Sequence, residues 1–163
     1  MAVDTSVIGK KMPTSRVVLE RGPVSNFAAA TTDDKPIYRD PEVARAAGFD
    51  NIPAAPTYSF AWQHFGAFPE LQPEDASGPN PMFEIMGQLR GSGGLILHGE
   101  QEFIYHRTPQ VGDDLVGEGR IKDLYEKESK GKTMTFIVTE TVWKDAKSGE
   151  PVVTALFNLI HRA

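Results

Sequence analysis

The residues best suited to proton transfer lie in one short segment, TTDDKPIYRDPEVARAAG, at positions 31–48. A general acid or base needs a carboxylate that is held in one place. Asp33 and Asp34 could provide it, because they lie in a short loop just before the rigid step at Pro36. Asp33 is the better candidate, and a turn or helix-capping role is the alternative. Asp34 is expected to face solvent. A histidine at the position of Tyr38 would complete the strongest version of such a site.

A strong helix start follows the acidic loop directly. Asp40 is suited to be the N-cap, Pro41 to take the first helical position and Glu42 to lie in the first turn. Gly48 is well placed to end this helix in a left-handed conformation. The loop would then be held by Pro36 on one side and by a capped helix on the other.

Composition limits the classes of protein to which the chain can belong. The 163 residues are 40% hydrophobic and 24% charged, which is ordinary for one folded domain spanning residues 1–163. The net charge of −5 argues against nucleic-acid binding, and the absence of cysteine excludes thiolate nucleophiles, disulfides and cysteine-bound zinc. No apolar segment has the length of a membrane span, and the N-terminus does not resemble a signal peptide. We expect a cytoplasmic protein without membrane insertion.

Hydrophobic periodicity predicts mainly helices in the first part of the chain. A strand at 15–19 and a helix at 23–31 precede the acidic loop, and the capped helix covers 41–47. Apolar residues recur at helical spacing within 52–68, and their number predicts a buried aromatic helix. The stretch 69–94 is rich in Pro, Gly and acidic residues, and it predicts a long loop with one turn of structure.

The second part of the chain alternates apolar and polar residues as strands do. The predicted strands are 95–105, 115–126, 133–143 and 151–162. One apolar helix wrapped by a curved antiparallel sheet fits this order, an α+β architecture in which an open edge favours dimerisation. His98 and His106 lie eight residues apart in the first of these strands, so a regular strand would place both on one face. No third ligand is evident, and we expect no metal site.

Several segments, in the same order, resemble one known family. They are FAAATTDDKPIYRDPEVARAAGFDNIPAAPTYSF, LHGEQEFIYHR with the following TPQVGDDL, and the closing strand pair; the resemblance spans about residues 7–162. The chain is similar to the MaoC-like dehydratases, with their N-terminal fatty-acid-synthase-type dehydratase region, and to the non-catalytic type of subunit in (3R)-hydroxyacyl-ACP dehydratases. The resemblance implies a single hot-dog fold, in which a long central helix is wrapped by a curved antiparallel sheet. It also implies (R)-3-hydroxyacyl-thioester dehydration or enoyl-thioester hydration on coenzyme A or acyl carrier protein, without a cofactor.

The family's hydratase motif, Asp-x-Asn-Pro-aliphatic-His, falls on residues 33–38 of this chain. Asp33, Pro36 and the aliphatic position match, whereas Lys35 replaces the asparagine and Tyr38 replaces the histidine. The Asp/His pair of the family activates water, or removes the α-proton and protonates the departing hydroxyl. A tyrosine, with an ordinary pKa of about 10, can donate a proton but is a poor base. The resemblance thus implies a degenerate catalytic pair, Asp33 and Tyr38, with Pro36 beside the substrate.

The segment APTYS at 55–59, which leads into the aromatic helix, is the second part of the implied site. In related hydratases a helix start at this point directs backbone N–H groups at the thioester carbonyl, where they stabilise developing negative charge. Thr57 and Ser59 could add hydroxyl groups to this substrate site. They could equally be caps of the helix.

The resemblance leaves the role of the chain open. It could be a weakly active dehydratase, or the substrate-binding subunit of one, as a homodimer or as a heterodimer with a second hot-dog chain that carries an intact Asp/His pair. A non-catalytic acyl-thioester binding or assembly module is the alternative. A hot-dog thioesterase would need a carboxylate on the central helix, and residues 53–68 contain no Asp or Glu, which counts against it.

Overall fold

The computed structural model describes residues 4–91, 93–129 and 131–162. Its helices are α1 (Arg21–Ala30), α2 (Pro41–Ala46), α3 (Tyr58–Gly66) and α4 (Pro81–Gly91). Its strands are β1 (Ser15–Val18), β2 (Leu95–Tyr105), β3 (Asp114–Ser129), β4 (Lys132–Asp145) and β5 (Pro151–Arg162). Short 3-10 turns cover Thr5–Val7, Pro36–Tyr38, Pro69–Leu71 and Glu74–Ser77. The predicted order, with one short strand and helices before four long strands, is the order observed.

The five strands form one curled antiparallel sheet in the order β1-β3-β4-β5-β2. The long ladders between β3 and β4 and between β4 and β5 form the centre of the sheet. Strand β2 lies at one edge and pairs only with β5 among the described strands, so one side of its backbone faces outward. The sheet therefore provides a rigid wall with one long open edge.

Helix α3 packs on one face of this sheet. Tyr58 and Trp62 are buried, and the Trp62 ring meets the ring of Trp143 edge-on, with centroids 5.1 Å apart. Two further aromatic residues of α3, Phe60 and Phe65, are 49% and 53% exposed. The prediction of a helix buried across its aromatic residues is therefore wrong for these two. The Phe60 ring still contacts the sheet, with its centroid 6.0 Å from that of Phe157, and Phe65 lies in the last turn of the nine-residue helix.

The predicted long loop at 69–94 contains an 11-residue helix, α4, and this prediction is wrong in that respect. The side chain of Asn80 accepts a hydrogen bond from the backbone N–H of Met82 at 2.9 Å, which caps the helix start. Ile85 and Leu89, four residues apart, pack into a second core cluster with residues of β3 and β4. Capping and this apolar pair outweigh the Pro and Gly content of the stretch.

A bulge at Gly99 interrupts strand β2. His98 lies opposite Leu159, but Glu100 lies opposite the next residue of β5, so one residue of β2 is unpaired. The His98 ring therefore faces α3, 5.4 Å from the ring of Phe60. His106 bonds the hydroxyl of a β5 residue on the other face of the sheet. The expectation that the two histidines share a face is wrong, because it assumed a regular strand.

Candidate functional site

The backbone at the end of α1 fixes the position of Asp33. Its N–H donates to the carbonyl oxygen of Ala28 at 2.9 Å, and the preceding residue, Thr32, has a φ of +60°. A left-handed conformation costs a β-branched residue about 1–2 kcal/mol, so the surrounding hydrogen bonds must hold it in place. The acidic loop is therefore a defined turn, which can hold a carboxylate in one position.

Lys35 occupies both oxygens of the Asp33 carboxylate. The Lys35 Nζ lies 3.1 Å from Oδ2, and the Lys35 backbone N–H donates to Oδ1 at 3.4 Å. The hydrogen bond and the charge of Asp33 raise the pKa of Lys35, which stays a cation. The carboxylate of Asp33 is therefore paired with a charge before any substrate arrives. Lys35, which replaces the asparagine of the hydratase motif, is the residue that pairs with Asp33.

Tyr38 is buried at the end of the 3-10 turn that begins at Pro36. Its carbonyl oxygen accepts a hydrogen bond from the Ser25 hydroxyl at 2.7 Å, which fixes the turn against α1. Burial of the phenol, and secondly the negative charge of Asp33, raise the pKa of Tyr38 above its ordinary value, while Lys35 lowers it. The phenol therefore stays protonated at neutral pH, so it can donate a proton but cannot act as a base.

Asp34 points away from this group. Its carboxylate is 85% exposed and lies 2.9 Å from the guanidinium of Arg39. The expectation that Asp34 faces solvent is confirmed. Asp33 is the carboxylate that lies next to Tyr38.

The start of α3 has an unusual backbone. Thr57, the residue before the helix, has a φ of +70°, and its N–H donates to the phenolic oxygen of Tyr105 on β2 at 3.1 Å. The N–H groups of Tyr58 and Phe60 donate to the carbonyl oxygens of Ala55 and Thr57. Three of the four amides from 57 to 60 therefore already have acceptors within the protein. Fewer backbone N–H groups are therefore available to a thioester carbonyl than the resemblance implies.

Neither hydroxyl of the APTYS segment caps the helix. Thr57 makes no side-chain capping hydrogen bond, and Ser59 lies inside the first turn of α3. The Ser59 Oγ is shielded from solvent and has no hydrogen-bond partner among the described residues. The capping alternative is therefore not what the structure contains, and the Ser59 hydroxyl is left with unused hydrogen-bonding capacity.

The two parts of the predicted site are neighbours in space. Tyr38 packs with Ala28 of α1 and with Ala55, two residues before Thr57. Thr32 and Thr57, the two non-glycine residues with positive φ in the described part of the chain, each lie directly beside one part of the site. Strained backbone is often kept at functional sites, where the surrounding structure holds it.

A cavity of about 370 Å³ lies between α3 and the sheet. Ser59 lines it, whereas Asp33, Pro36, Tyr38 and Thr57 do not. The structure thus separates the predicted residues into an Asp33–Tyr38 group beside the start of α3 and a Ser59 group within the cavity.

Sequence reasoning missed several residues around these two groups. Tyr105 was read only as part of a strand, and its contact with Thr57 spans 48 positions of sequence. Thr139 and Thr141 line the cavity from β4. Their signal is visible in the sequence, because they continue the period-two series from Ile137 to Trp143 and so share its inward face.

The described residues contain no group of three or more His, Asp or Glu side chains that could bind a metal ion. Within the same part of the chain, no helix is both long and apolar enough to cross a membrane.

Comparison with known proteins supports the resemblance seen in the sequence. The chain matches the family model described as FAS1-like, dehydratase domain region, over residues 6–155. It is 32% identical to a UPF0336 protein of Saccharopolyspora erythraea over 163 residues, which cover 99% of this chain and 93% of the relative. The predicted relationship to the dehydratases is confirmed.

Two solved structures from Mycobacterium tuberculosis are similar in fold. The ChsH1-ChsH2 complex matches with a TM-score of 0.71 at 24% identity, over 94% of this chain and 83% of that chain. The truncated HadBC (3R-hydroxyacyl-ACP dehydratase) complex matches with a TM-score of 0.69 at 19% identity, over 97% and 99%. Together with the curled five-stranded sheet, these matches confirm the predicted hot-dog fold.

Proposed function

The chain belongs to the FAS1-like dehydratase domain region family, and from this we propose that it is an acyl-thioester-binding subunit of a dehydratase or hydratase. The reaction is the dehydration of an (R)-3-hydroxyacyl thioester, or the reverse addition of water to an enoyl thioester. The acyl group is carried on coenzyme A or on acyl carrier protein. A second hot-dog chain with an intact Asp/His pair supplies the proton transfers.

The pairing of Asp33 with Lys35 carries this proposal. Hydration needs a base that takes a proton from water while the oxygen adds to C3, and an acid that delivers a proton to C2. Asp33 is held by a cation, and Tyr38 keeps its proton because its pKa is raised. The chain thus has one candidate acid and a carboxylate that must first leave Lys35. These two groups are therefore poorly suited to catalyse the reaction without a partner chain.

The binding part of the proposal rests on α3 and the cavity beside it. The thioester carbonyl would lie at the start of α3, where the positive end of the helix favours negative charge. The acyl group would extend into the cavity that Ser59 lines. A pocket of a few hundred Å³ is in the size range of small-ligand sites. The non-catalytic binding module remains the alternative if no partner completes the reaction.

The open edge of β2 supports a hot-dog partner. Several large apolar residues are exposed along this strand, namely Leu95, Leu97, Ile104 and Tyr105. Such residues on a long open edge favour pairing with another chain. The two similar structures are themselves complexes, HadBC and ChsH1-ChsH2. We therefore place a second hot-dog chain along β2, as a partner chain or as a second copy of this one.

Hydration of crotonyl-CoA, followed by the loss of ultraviolet absorbance of the enoyl thioester, tests this function. The chain alone is expected to give little or no turnover. Turnover should appear when a second hot-dog chain with an intact Asp/His pair is added.

Two control results decide between the remaining roles. Turnover by the chain alone that disappears in Asp33→Asn, while Asp34→Asn retains it, would mean that the chain is a catalyst in its own right. Failure to bind any acyl thioester, alone or with the partner, would overturn the proposed function.

A further inference from the structure

We propose that the cavity beside α3 selects acyl groups that carry a neutral hydroxyl or carbonyl group of their own, in preference to plain alkyl chains. This inference rests on the proposed function and names the class of substrate that the cavity fits. It is drawn from the chemistry of the cavity wall.

The wall of the cavity combines apolar side chains with several polar ones. Nine of its seventeen lining residues, Trp143 with its indole N–H among them, have side chains that can donate or accept hydrogen bonds. They come from α3, from the sheet and from the segments beside them, and include Ser59, Gln63, Gln101, Thr139 and Thr141. Polar groups covered by an alkyl chain lose their hydrogen bonds to water without replacement, which is unfavourable. A substrate with its own oxygen atoms can replace them.

The hydroxyl of Ser59 is the most direct sign of such a substrate. It is shielded from solvent, and no described residue donates to it or accepts from it. Buried polar groups in folded proteins almost always have a partner, so an unpaired hydroxyl in a cavity wall calls for one. A hydroxyl or carbonyl oxygen on the acyl group would supply it.

The sheet side of the cavity presents matching groups. Thr139 is only 7% exposed, and Thr139 and Thr141 lie on the inward face of β4. Valine has nearly the same shape as threonine, so the hydroxyls are what distinguishes this wall from an apolar one. On β3 the wall has glycine at 117 and 119. A Cβ at Gly117 would lie 2.8 Å from the Trp143 ring, and one at Gly119 would collide with the Met12 side chain and lie 3.2 Å from the Thr141 hydroxyl oxygen. Glycine at these two positions therefore lets the Trp143 ring and the Met12 side chain pack against β3.

The charges of the wall restrict the class further. None of the described lining residues is Asp, Glu, Lys or Arg, and His64 is the one titratable side chain among them. A carboxylate or an amine on the acyl group would enter without a counter-charge, which is costly in a partly closed cavity. The cavity thus fits neutral oxygen groups.

Calorimetric titration with matched thioesters tests this inference. The probes are hexanoyl-CoA and its 4-, 5- and 6-hydroxy derivatives, added to the wild-type chain. We expect at least one hydroxylated probe to bind about 5- to 10-fold more tightly than hexanoyl-CoA, the effect of one good hydrogen bond. Ser59→Ala and Thr141→Val should reduce this preference to near one. Thr133→Val, on the same strand but outside the cavity, should leave it unchanged.

The possible outcomes separate the inference from the function on which it rests. Binding of hexanoyl-CoA as tightly as every hydroxylated probe would overturn the inference and leave the proposed function standing. A preference that survives in Ser59→Ala and in Thr141→Val would also overturn it, since these hydroxyls would then not bind the substrate. Absence of binding by all four probes, both to the chain alone and to the chain with its partner, would overturn the proposed function as well. Melting temperatures identify any variant that fails to fold, and Ser59→Ala removes no hydrogen bond within the described structure.

Discussion

The backbone N–H of Thr57, at the start of α3, donates to the phenolic oxygen of Tyr105, on the edge strand β2, at 3.1 Å. This bond joins the helix terminus that would face the thioester to the strand along which a partner would pair. It also supports the left-handed backbone of Thr57, whose φ is +70°. A hydrogen bond therefore connects the proposed binding site to the open edge of the sheet.

Replacing Tyr105 by Phe should loosen this connection. Loss of the hydrogen bond is expected to cost about 1 kcal/mol of folding free energy, because the Thr57 amide and its strained backbone lose their support. That cost corresponds to a decrease of about 2–4 °C in melting temperature. Affinity for acyl-CoA, measured by calorimetry, should fall about 3- to 10-fold. Tyr125→Phe is the control, since the Tyr125 ring stacks on Phe136 at paired positions of β3 and β4. Unchanged affinity in Tyr105→Phe would show that the Thr57 turn is set by the chain around it.

Restoring the two departures from the hydratase motif should create activity. In Lys35→Asn with Tyr38→His, the carboxylate of Asp33 loses its cation and gains a neighbour whose ordinary pKa is near neutrality. General acid–base catalysis by a positioned pair typically contributes about 10²–10⁴-fold. We expect crotonyl-CoA hydration by the double variant to exceed that of the wild type by at least tenfold, and each single variant to gain less.

Asp33→Asn in the double-variant background is the matched control for this gain. It should return turnover to the wild-type level, while Asp34→Asn, at an exposed position, should leave it intact. A double variant that folds, binds acyl-CoA and remains inactive would show that the start of α3 cannot stabilise the enolate.

The stability of the sheet should depend on pH through Glu140. Hydrogen bonding to Lys122, and then to Arg120, lowers the pKa of this carboxyl below its ordinary value of 4.5. A carboxylate with a lowered folded-state pKa stabilises the fold fully above the ordinary value, and the contribution is lost as the pH falls below it. Glu140→Gln should therefore cost about 1 kcal/mol at pH 7, and this difference should shrink as the pH falls below 4.5.

Chemical denaturation at pH 7 and at pH 3.5 measures this dependence. The first pH lies well above the ordinary pKa of a glutamate, and the second lies about one unit below it. Glu118→Gln is the comparison, because Glu118 also pairs with a lysine but its carboxylate is 58% exposed, against 14% for Glu140. It should change stability less at both values. Equal losses for Glu140→Gln at both pH values would mean that the ionised carboxylate is not the stabilising species.

A charge on the open edge of β2 should prevent association. Leu97→Glu places a carboxylate on an apolar stretch of this edge, where it would be desolvated by an incoming strand. We expect at least a tenfold weaker association with a second hot-dog chain or a second copy, measured by sedimentation velocity. Phe83→Glu, at an exposed apolar residue of α4, should leave the association constant unchanged. If Phe83→Glu weakened association and Leu97→Glu did not, the interface would lie at α4 and not at β2.

The long strands and the fold family could be predicted from sequence because they depend on local patterns. Alternating residues identified β2 to β5, and the Asp40-Pro41 pair identified α2. The same kind of start, Asn80-Pro81, precedes α4 and could have been read in the same way. It was hidden by the surrounding Pro, Gly and acidic residues, although Ile85 and Leu89 have helical spacing.

The arrangement of the candidate site was less predictable, because it depends on long-range contacts. The sequence identified Asp33 and the loss of the histidine at Tyr38, which are features of residue type. It did not predict that Lys35 would fold back onto Asp33, since an exposed lysine has many rotamers. The left-handed turn at Thr57 was equally hidden, because nothing in APTYS requires it and its support comes from β2.

The bulge at Gly99 makes the length of β2 as important as its composition. Residues that face the two sides of the sheet alternate in opposite phase before and after the bulge. Leu97 and Glu100 therefore share a face although they are three residues apart. A Cβ at position 99 would lie 2.8 Å from the Ile160 side chain and 3.0 Å from the Asn158 carbonyl oxygen, so a larger residue crowds the ladder. Deletion of Gly99 would remove the unpaired residue, and His98 and Glu100 would then follow each other opposite Leu159 and Asn158 with their present faces unchanged. A single-residue insertion or deletion elsewhere in β2 would instead shift one part of the strand by one residue and exchange its two faces.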